Sequence, residues 1–324
     1  MPESGACERT RARCRAALEH HDDLRPLWRA WRMGDPMLAE ARSLLPDVRT
    51  GGPAMSRLAN LKERLAQTGM PVAHGAFERF LIVTASAEAT GRLDGLPIDD
   101  RVRQLFLHNF EMYAAARVAE PFDLKRSSFI AMGRIATVSR YPAGQLDWEV
   151  SGLPRSWIVR TRLHAFPRLL QGVGELRGLG PAFFSHLNPN RPNQHTLLER
   201  ESLRSYHRMA LSMERQPGIR GLVTASWLHS RDTHLVSPHL AWLNDVFRQN
   251  GGYIVPLGRV DPGCGVLRSP ERQRAYDAGT FVPTEALVIW PRAAMLDWAH
   301  GHEELHDDAP APHRRVLAPR RAAG

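Results

Sequence analysis

Pro181-Ala-Phe-Phe-Ser-His-Leu-Asn-Pro-Asn-Arg-Pro-Asn-Gln-His195 is an apolar run that breaks into a loop of asparagines and prolines. Past it, Leu203, Tyr206, Met209, Ala210 and Met213 share one face of a helix predicted over 197–215, and Pro217-Gly218 ends that helix. Residues 219–228 then return as a second apolar run, the mark of a buried strand. Strand, polar loop, helix and strand in succession decide the fold class, and the pattern continues downstream. Ser237-Pro238 opens a helix to 249, Asn250-Gly-Gly ends it, and 253–257 reads as a strand. Ser269 as cap and Pro270 at the first helical position start another helix to Gly279. A last strand over 286–290 and a helix over 292–299 follow, with Trp290, Arg292 and Trp298 as core and capping residues.

Upstream, Leu146, Trp148 and Val150 alternate with polar neighbours as in a half-buried strand, 157–159 reads as another, and 127–138 suits either helix or strand. Residues 55–124 read as helical: Leu58, Leu61 and Leu65 share a face, 76–89 and 99–119 are the clearest stretches, and 91–97 breaks them. Residues 1–54 mix Arg, Ala, Pro and acids without a sustained apolar period. They are expected to be a disordered extension upstream of a true start at Met55, or a mobile helical arm over 24–45. Residues 300–324, with His300, His302, His306 and His313, read as a disordered, solvated tail. The expected architecture is α+β: a mixed β-sheet flanked by helices over 125–299, preceded by a helical N-terminal region.

With 43% hydrophobic and 24% charged residues in 324, the chain has an ordinary globular composition. No run approaches the roughly 18 uninterrupted apolar residues of a spanning helix, so no membrane role is expected. Lys and Arg number 43 against 34 Asp and Glu, a formal charge of +9 that favours anionic partners. Only Lys62 and Lys125 are lysines, and the arginines are scattered among acids instead of forming a stripe, which argues against nucleic acid. Three cysteines, Cys7, Cys14 and Cys264, suit a reducing compartment, and residues 1–15 lack the apolar core of a signal peptide. The cytoplasm is the expected location.

The loop after 181–187 sits where open α/β sheets place ligands, at the carboxyl end of a strand and before a helix N-terminus. Asn188, Arg191 and Asn193 are its groups for hydrogen bonding an amide, carboxylate or phosphate. The second apolar run ends in Ser226-Trp-Leu-His-Ser-Arg-Asp-Thr-His-Leu-Val-Ser-Pro-His239, which occupies the same place one unit later. Trp227, His229, Asp232, His234 and His239 are its candidate pocket groups, and both loops could line one edge of the sheet. A facial triad needs no fixed spacing, so His229 or His239 with Asp232 could hold a metal. Asp147-Trp-Glu149, between Arg140 and Arg155, offers a carboxylate that could serve as general base to an amine. No G-x-S-x-G elbow and no Walker pattern occurs.

Arg177-Gly-Leu-Gly-Pro-Ala182 satisfies R-x-x-G-x-A. It resembles the loop with which GNAT-type N-acyltransferases cradle the pyrophosphate of acyl-CoA, and the strand–helix alternation over about 125–295 is broadly similar to the GNAT fold. The resemblance implies a small-molecule transferase moving an acyl group from acyl-CoA to an amine. Arg177, Gly178 and Gly180 would then face the coenzyme phosphates. Asn188, Arg191 and Asn193 would orient the acceptor, with Trp227, Asp232 and His239 as further substrate contacts. Glu149 or His186 would take the proton. Two other readings stand beside it: a non-haem iron oxygenase using His229, Asp232 and His239, and a non-enzymatic module that binds an anion or nucleic acid through its arginines.

Overall fold

The computed structural model describes residues 4–49, 51–70, 75–116, 122, 127–189, 197–261, 263 and 265–306. Helices fill the N-terminal part: α1 (Ser4–His20), α2 (Arg25–Arg32), α3 (Pro36–Leu44), α4 (Pro53–Gln67), α5 (Ala76–Ala89) and α6 (Asp100–Ala115). The expectation that 1–54 lies outside the fold is corrected. α1 packs against α5 and α6, and Cys14, Leu18, Leu24, Leu27, Leu38, Ala41 and Leu45 are buried in the same core as Phe77, Phe80 and Phe110. Each of these early helices contributes only a few inward residues, so no long apolar period marks them in the sequence. Met55 lies in the first turn of α4. The Asp35 side chain caps α3, accepting from the main-chain N–H groups of Met37 and Leu38 at 2.9 and 3.0 Å. Buried Arg79 of α5 ties the arm down: it pairs with Asp23 at 3.0 Å and donates to the Ala114 carbonyl at 2.7 Å.

The C-terminal part holds one six-stranded sheet, β1 (Tyr141–Pro142), β2 (Leu146–Ser151), β3 (Ala182–Leu187), β4 (Gly221–Ser226), β5 (Tyr253–Arg259) and β6 (Thr284–Pro291), in the order β1-β2-β3-β4-β6-β5. β3 and β4 are parallel; the other neighbours are antiparallel. Side chains divide between the two faces by the period of two. Phe183, Leu222, Ile254, Val288 and Trp290 join the large core shared with the N-terminal helices. Phe184, Val223, Val255, Leu287 and Ile289 join a second core with Leu169 and Leu176. The first face is covered by α10 (Glu199–Glu214), α12 (Trp242–Gln249) and α14 (Arg292–His300), the second by α8 (Arg155–Arg160) and α9 (Phe166–Glu175).

Residues 127–136 settle as helix α7 (Ser127–Ala136). The strand expected at 157–159 is corrected: those residues belong to α8, which follows Pro154 and turns Trp157 onto Phe184. The tail expectation is corrected at its start, because His302 Nδ1 donates to the Trp298 carbonyl at 2.7 Å and Leu305 is buried; His313 and the rest of the tail lie outside the described residues. Arg292 opens α14 and donates to the carbonyls of Met213, Gln216 and Ile219 at 2.6, 3.0 and 3.1 Å, satisfying the end of α10. α11 (Arg231–Val236) and α13 (Pro270–Asp277) complete the set. Among the described residues no helix is long and apolar enough to cross a membrane.

Candidate functional site

The parallel pair at the centre of the sheet is paired over a short length. β3 and β4 each have six residues, but their register couples only Phe183 with Leu222 and Phe184 with Val223. Beyond these pairs the contact passes to a side chain: Thr224 Oγ1 donates to the Ser185 carbonyl at 3.0 Å. A cleft of about 280 Å³ opens there, lined from β3 by Phe184, Ser185, His186 and Leu187 and from β4 by Thr224, Ala225 and Ser226. Leu146, Leu197, Tyr206, Trp227, Leu228, His229, Leu243 and Glu285 close its walls. Trp227, Leu228 and His229, which follow β4, and Leu197, which precedes α10, thus line the cleft at the carboxyl ends of the parallel strands; residues 190–196 lie outside the described residues.

His186 and Glu149 come together on the α8 face. Antiparallel pairing sets Asp147 opposite His186 and Glu149 opposite Phe184, so Glu149 is a diagonal neighbour within side-chain reach. Its Oε1 lies 2.8 Å from His186 Nε2, and its Oε2 pairs with the Arg134 guanidinium of α7. Burial raises the cost of a charge on Glu149, but the bond from His186 and the charges around it outweigh that and hold its carboxyl down at about 2. Burial also pushes the His186 imidazolium below its ordinary value, aided by Arg140 and Arg134, against the pull of Glu149. A neutral imidazole facing a carboxylate must keep its proton on the nitrogen that meets it. His186 thus donates through Nε2 and keeps its lone pair on Nδ1. Phe184 packs edge-on against the ring with centroids 4.4 Å apart, which limits its rotation. Fully buried Asp147 and buried Arg140 attract each other beside this pair.

A second imidazole lines the cleft from the β4 side. His229 is buried, and burial pulls it down to about 4, so it is neutral. Asn244 of α12 holds it from both ends. The Asn244 Nδ2 group donates to the His229 carbonyl at 3.0 Å, so Oδ1 is the atom that accepts from His229 Nδ1, also at 3.0 Å. That leaves the lone pair of His229 on Nε2. His234 Nε2 donates in turn to the Leu228 carbonyl at 2.7 Å, which fixes the loop. Trp227 forms the rim and carries the Arg272 guanidinium 4.7 Å above its ring.

Other sequence-derived assignments are not brought to this cleft. Asp232 accepts from Thr284 Oγ1 at 2.7 Å beside Ser230, as part of the capping of α11. His239 is exposed on a 3₁₀ turn. The triad of His229, Asp232 and His239 is corrected: among the described residues no three His, Cys, Asp or Glu side chains gather in a way that could hold a metal ion. Asn188 acts as a tie: its side chain donates to the Gly144 carbonyl at 3.1 Å and its main chain to that of Gln145 at 2.9 Å. Arg191 and Asn193 lie outside the described residues.

Arg177, Gly178 and Gly180 precede β3, at the end of the strand away from His186, roughly 20 Å along a six-residue strand. Arg220, which precedes β4, fills the space there: it donates to the Arg177 carbonyl, and a Cβ on Gly180 would lie 2.7 Å from its guanidinium. The Gly178 N–H is already bonded to the Val173 carbonyl at 2.9 Å. A strand follows this loop where a diphosphate cradle needs a helix N-terminus.

Arg134, Asn244, Ser226 and Glu285 were not legible as site residues. Glu285, the second residue of β6, reaches the cleft and pairs with Arg160 of α8 at 2.8 Å. Only the alternation of Asp147 and Glu149 on a strand hinted that a polar partner would stand across from them. Comparison with protein-family models, curated proteins and solved structures returns no match.

Proposed function

We propose that this protein transfers an acyl group from a thioester donor of the acyl-CoA type to an amine acceptor. The observation that carries the reading is His186: a neutral imidazole on the wall of the cleft, oriented by an ionised Glu149, with its Nδ1 lone pair uncommitted. That is the arrangement of a general base with an orienting carboxylate. The amine attacks the thioester carbonyl carbon, a C–N bond forms and the C–S bond breaks. His186 Nδ1 takes the proton from the amine nitrogen and returns it to the departing thiolate.

The splay of β3 and β4 supports the same reading. Where the pairing stops at Phe184 and Val223, main-chain groups of two strand edges face one cleft. An extended chain bearing amides can bond to such edges as an added strand does. The apolar wall of Leu146, Leu187, Leu197 and Leu243 suits an acyl chain. The diphosphate of free coenzyme A finds no cradle at Arg177, Gly178 and Gly180, and the first turn of α10 carries Glu199 and Glu201, which oppose an anion. No step is assigned to that end of the donor.

The test is a thermal-shift titration of the full chain with octanoyl-CoA, followed by thiol release on a panel of primary amines. A donor at about 100 times its dissociation constant stabilises by about 2.7 kcal/mol, a midpoint rise of roughly 5–10 °C at this size. His186→Ala should keep the shift and lose roughly 10²–10⁴-fold in turnover. No shift and no thiol release would end the reading.

A further inference from the structure

Residues 150–174 contain no aspartate or glutamate, yet hold Arg155, Arg160, Arg162 and Arg168. They form α8, a short 3₁₀ turn and α9, which together cover the second face of the sheet. Their outer surface is unusual in two respects. Val159 and Leu163 are 86% and 90% exposed, far more than apolar side chains on a capped surface need to be, and Leu170 is 59% exposed. Of the four arginines, Arg160 pairs with Glu285, whereas exposed Arg155, Arg162 and Arg168 have no carboxylate partner among the described residues. A patch of apolar tips among unpaired guanidiniums fits an acidic partner with an apolar contact of its own.

The patch adjoins the cleft. Trp157 of α8 stacks on Phe184, ring centroids 5.3 Å apart, and Phe184 is a wall of the cleft; Glu285, held by Arg160, is another. We infer that α8 and α9 dock a small acidic carrier protein, which delivers the acyl group on a phosphopantetheine arm into the cleft between β3 and β4. The inference rests on the acyl-transfer reading and names its donor. The arm of such a carrier has the amides and the thioester of an acyl-CoA but no nucleotide, so the filled space around Gly180 and the acidic first turn of α10 present no obstacle. An anionic membrane is the weaker fit. α8 has six residues with its tryptophan turned inward, and the exposed apolar tips alternate with charges instead of forming the continuous apolar face of a membrane-surface helix.

The experiment uses the full chain and three probes: octanoyl carrier protein, octanoyl-CoA, and vesicles of phosphatidylglycerol. Binding of fluorescently labelled octanoyl carrier protein is read by anisotropy for the wild type, for the charge reversal R155E/R162E/R168E, and for Leu163→Asp. All four substituted positions are exposed, and an unchanged thermal midpoint with octanoyl-CoA verifies the fold of each variant. The expected result is saturable binding of the carrier that weakens roughly tenfold or more in both variants and at higher salt, while octanoyl-CoA affects all three proteins alike. A carrier that fails to bind, or binds the variants as well as the wild type, overturns the inference even where octanoyl-CoA is turned over, which leaves acyl transfer standing. Vesicle binding lost in the variants without carrier binding overturns it in favour of a membrane. Failure of both thioesters to bind or react removes the acyl-transfer reading itself.

Discussion

His186 on β3 meets Glu149 on β2 with 2.8 Å between Nε2 and Oε1, and the same carboxylate is anchored from behind by Arg134. The proton of the imidazole is thereby assigned to Nε2, and its lone pair to Nδ1. Because burial and two arginines depress the imidazolium, the free base survives below the ordinary histidine range. The acid limb of kcat/KM is therefore expected below pH 6.5, the unperturbed value. Glu149→Gln removes the group that raises the histidine, so it should move this limb further toward acid and cut kcat roughly 10–100-fold. A pH–rate profile of both proteins measures it; a limb that moves toward neutral pH in the variant contradicts the pairing.

The burial of His229 predicts a pH-dependent stability. Burial lowers His229 to about 4 in the folded chain, whereas an unfolded histidine titrates near 6.5. Between these values the unfolded state binds more protons, so stability rises with pH through the window. It is fully present above about 6.5 and is lost as pH falls toward about 4. Histidines 186, 207 and 234 are lowered as well and act in the same sense. Urea midpoints at neutral and mildly acidic pH should show the loss, and His229→Gln should flatten part of it. Equal slopes in the two proteins would exclude His229 from the effect.

Asn244→Leu should destabilise the chain by about 1–3 kcal/mol, because it strands the His229 donor and the His229 carbonyl together. Denaturant unfolding followed by tryptophan fluorescence gives the number. Retention of wild-type stability would mean that the bonds of Asn244 are replaced by water.

Arg177 adopts a left-handed backbone, with φ 55°, which costs a non-glycine residue about 1 kcal/mol. Arg177→Gly should therefore leave stability unchanged or raise it slightly, and leave the response to octanoyl-CoA untouched, because the position lies away from the cleft. A rise in KM for octanoyl-CoA in this variant would restore the diphosphate role that R-x-x-G-x-A suggests.

Removal of residues 1–54 should yield aggregated protein. It strips α1 from the faces of α5 and α6 and leaves buried Arg79 without the Asp23 carboxylate, and a buried charge that loses its counter-ion is destabilising. Light scattering and circular dichroism of the shortened chain decide the matter; a soluble, folded fragment would show that the early helices are dispensable.

The local code was strong where one element repeats one period. The run 181–187, the helix with Tyr206 and Met209 on its inner face, and the alternation of Leu146, Trp148 and Val150 all became the elements their spacing demands. The amino-acid order also placed the polar loops at the ends of two neighbouring strands, because a strand, a helix and a returning strand admit few arrangements. The helices of residues 4–44 were hidden, since each buries only a few side chains against partners far along the chain. The same limit applies at the cleft. Glu149 finds His186 because β2 and β3 pair antiparallel in one register out of several, and Asn244 finds His229 because α12 folds back beneath the loop after β4. Arg220 packs over Gly180 because β3 and β4 are parallel and bring their starts together. Periodicity is a property of neighbours in the chain, and is written in the sequence. Which imidazole is buried, which carboxylate meets it, and which glycine loop is already filled depend on strand register and helix packing, and those are decided by the whole core at once.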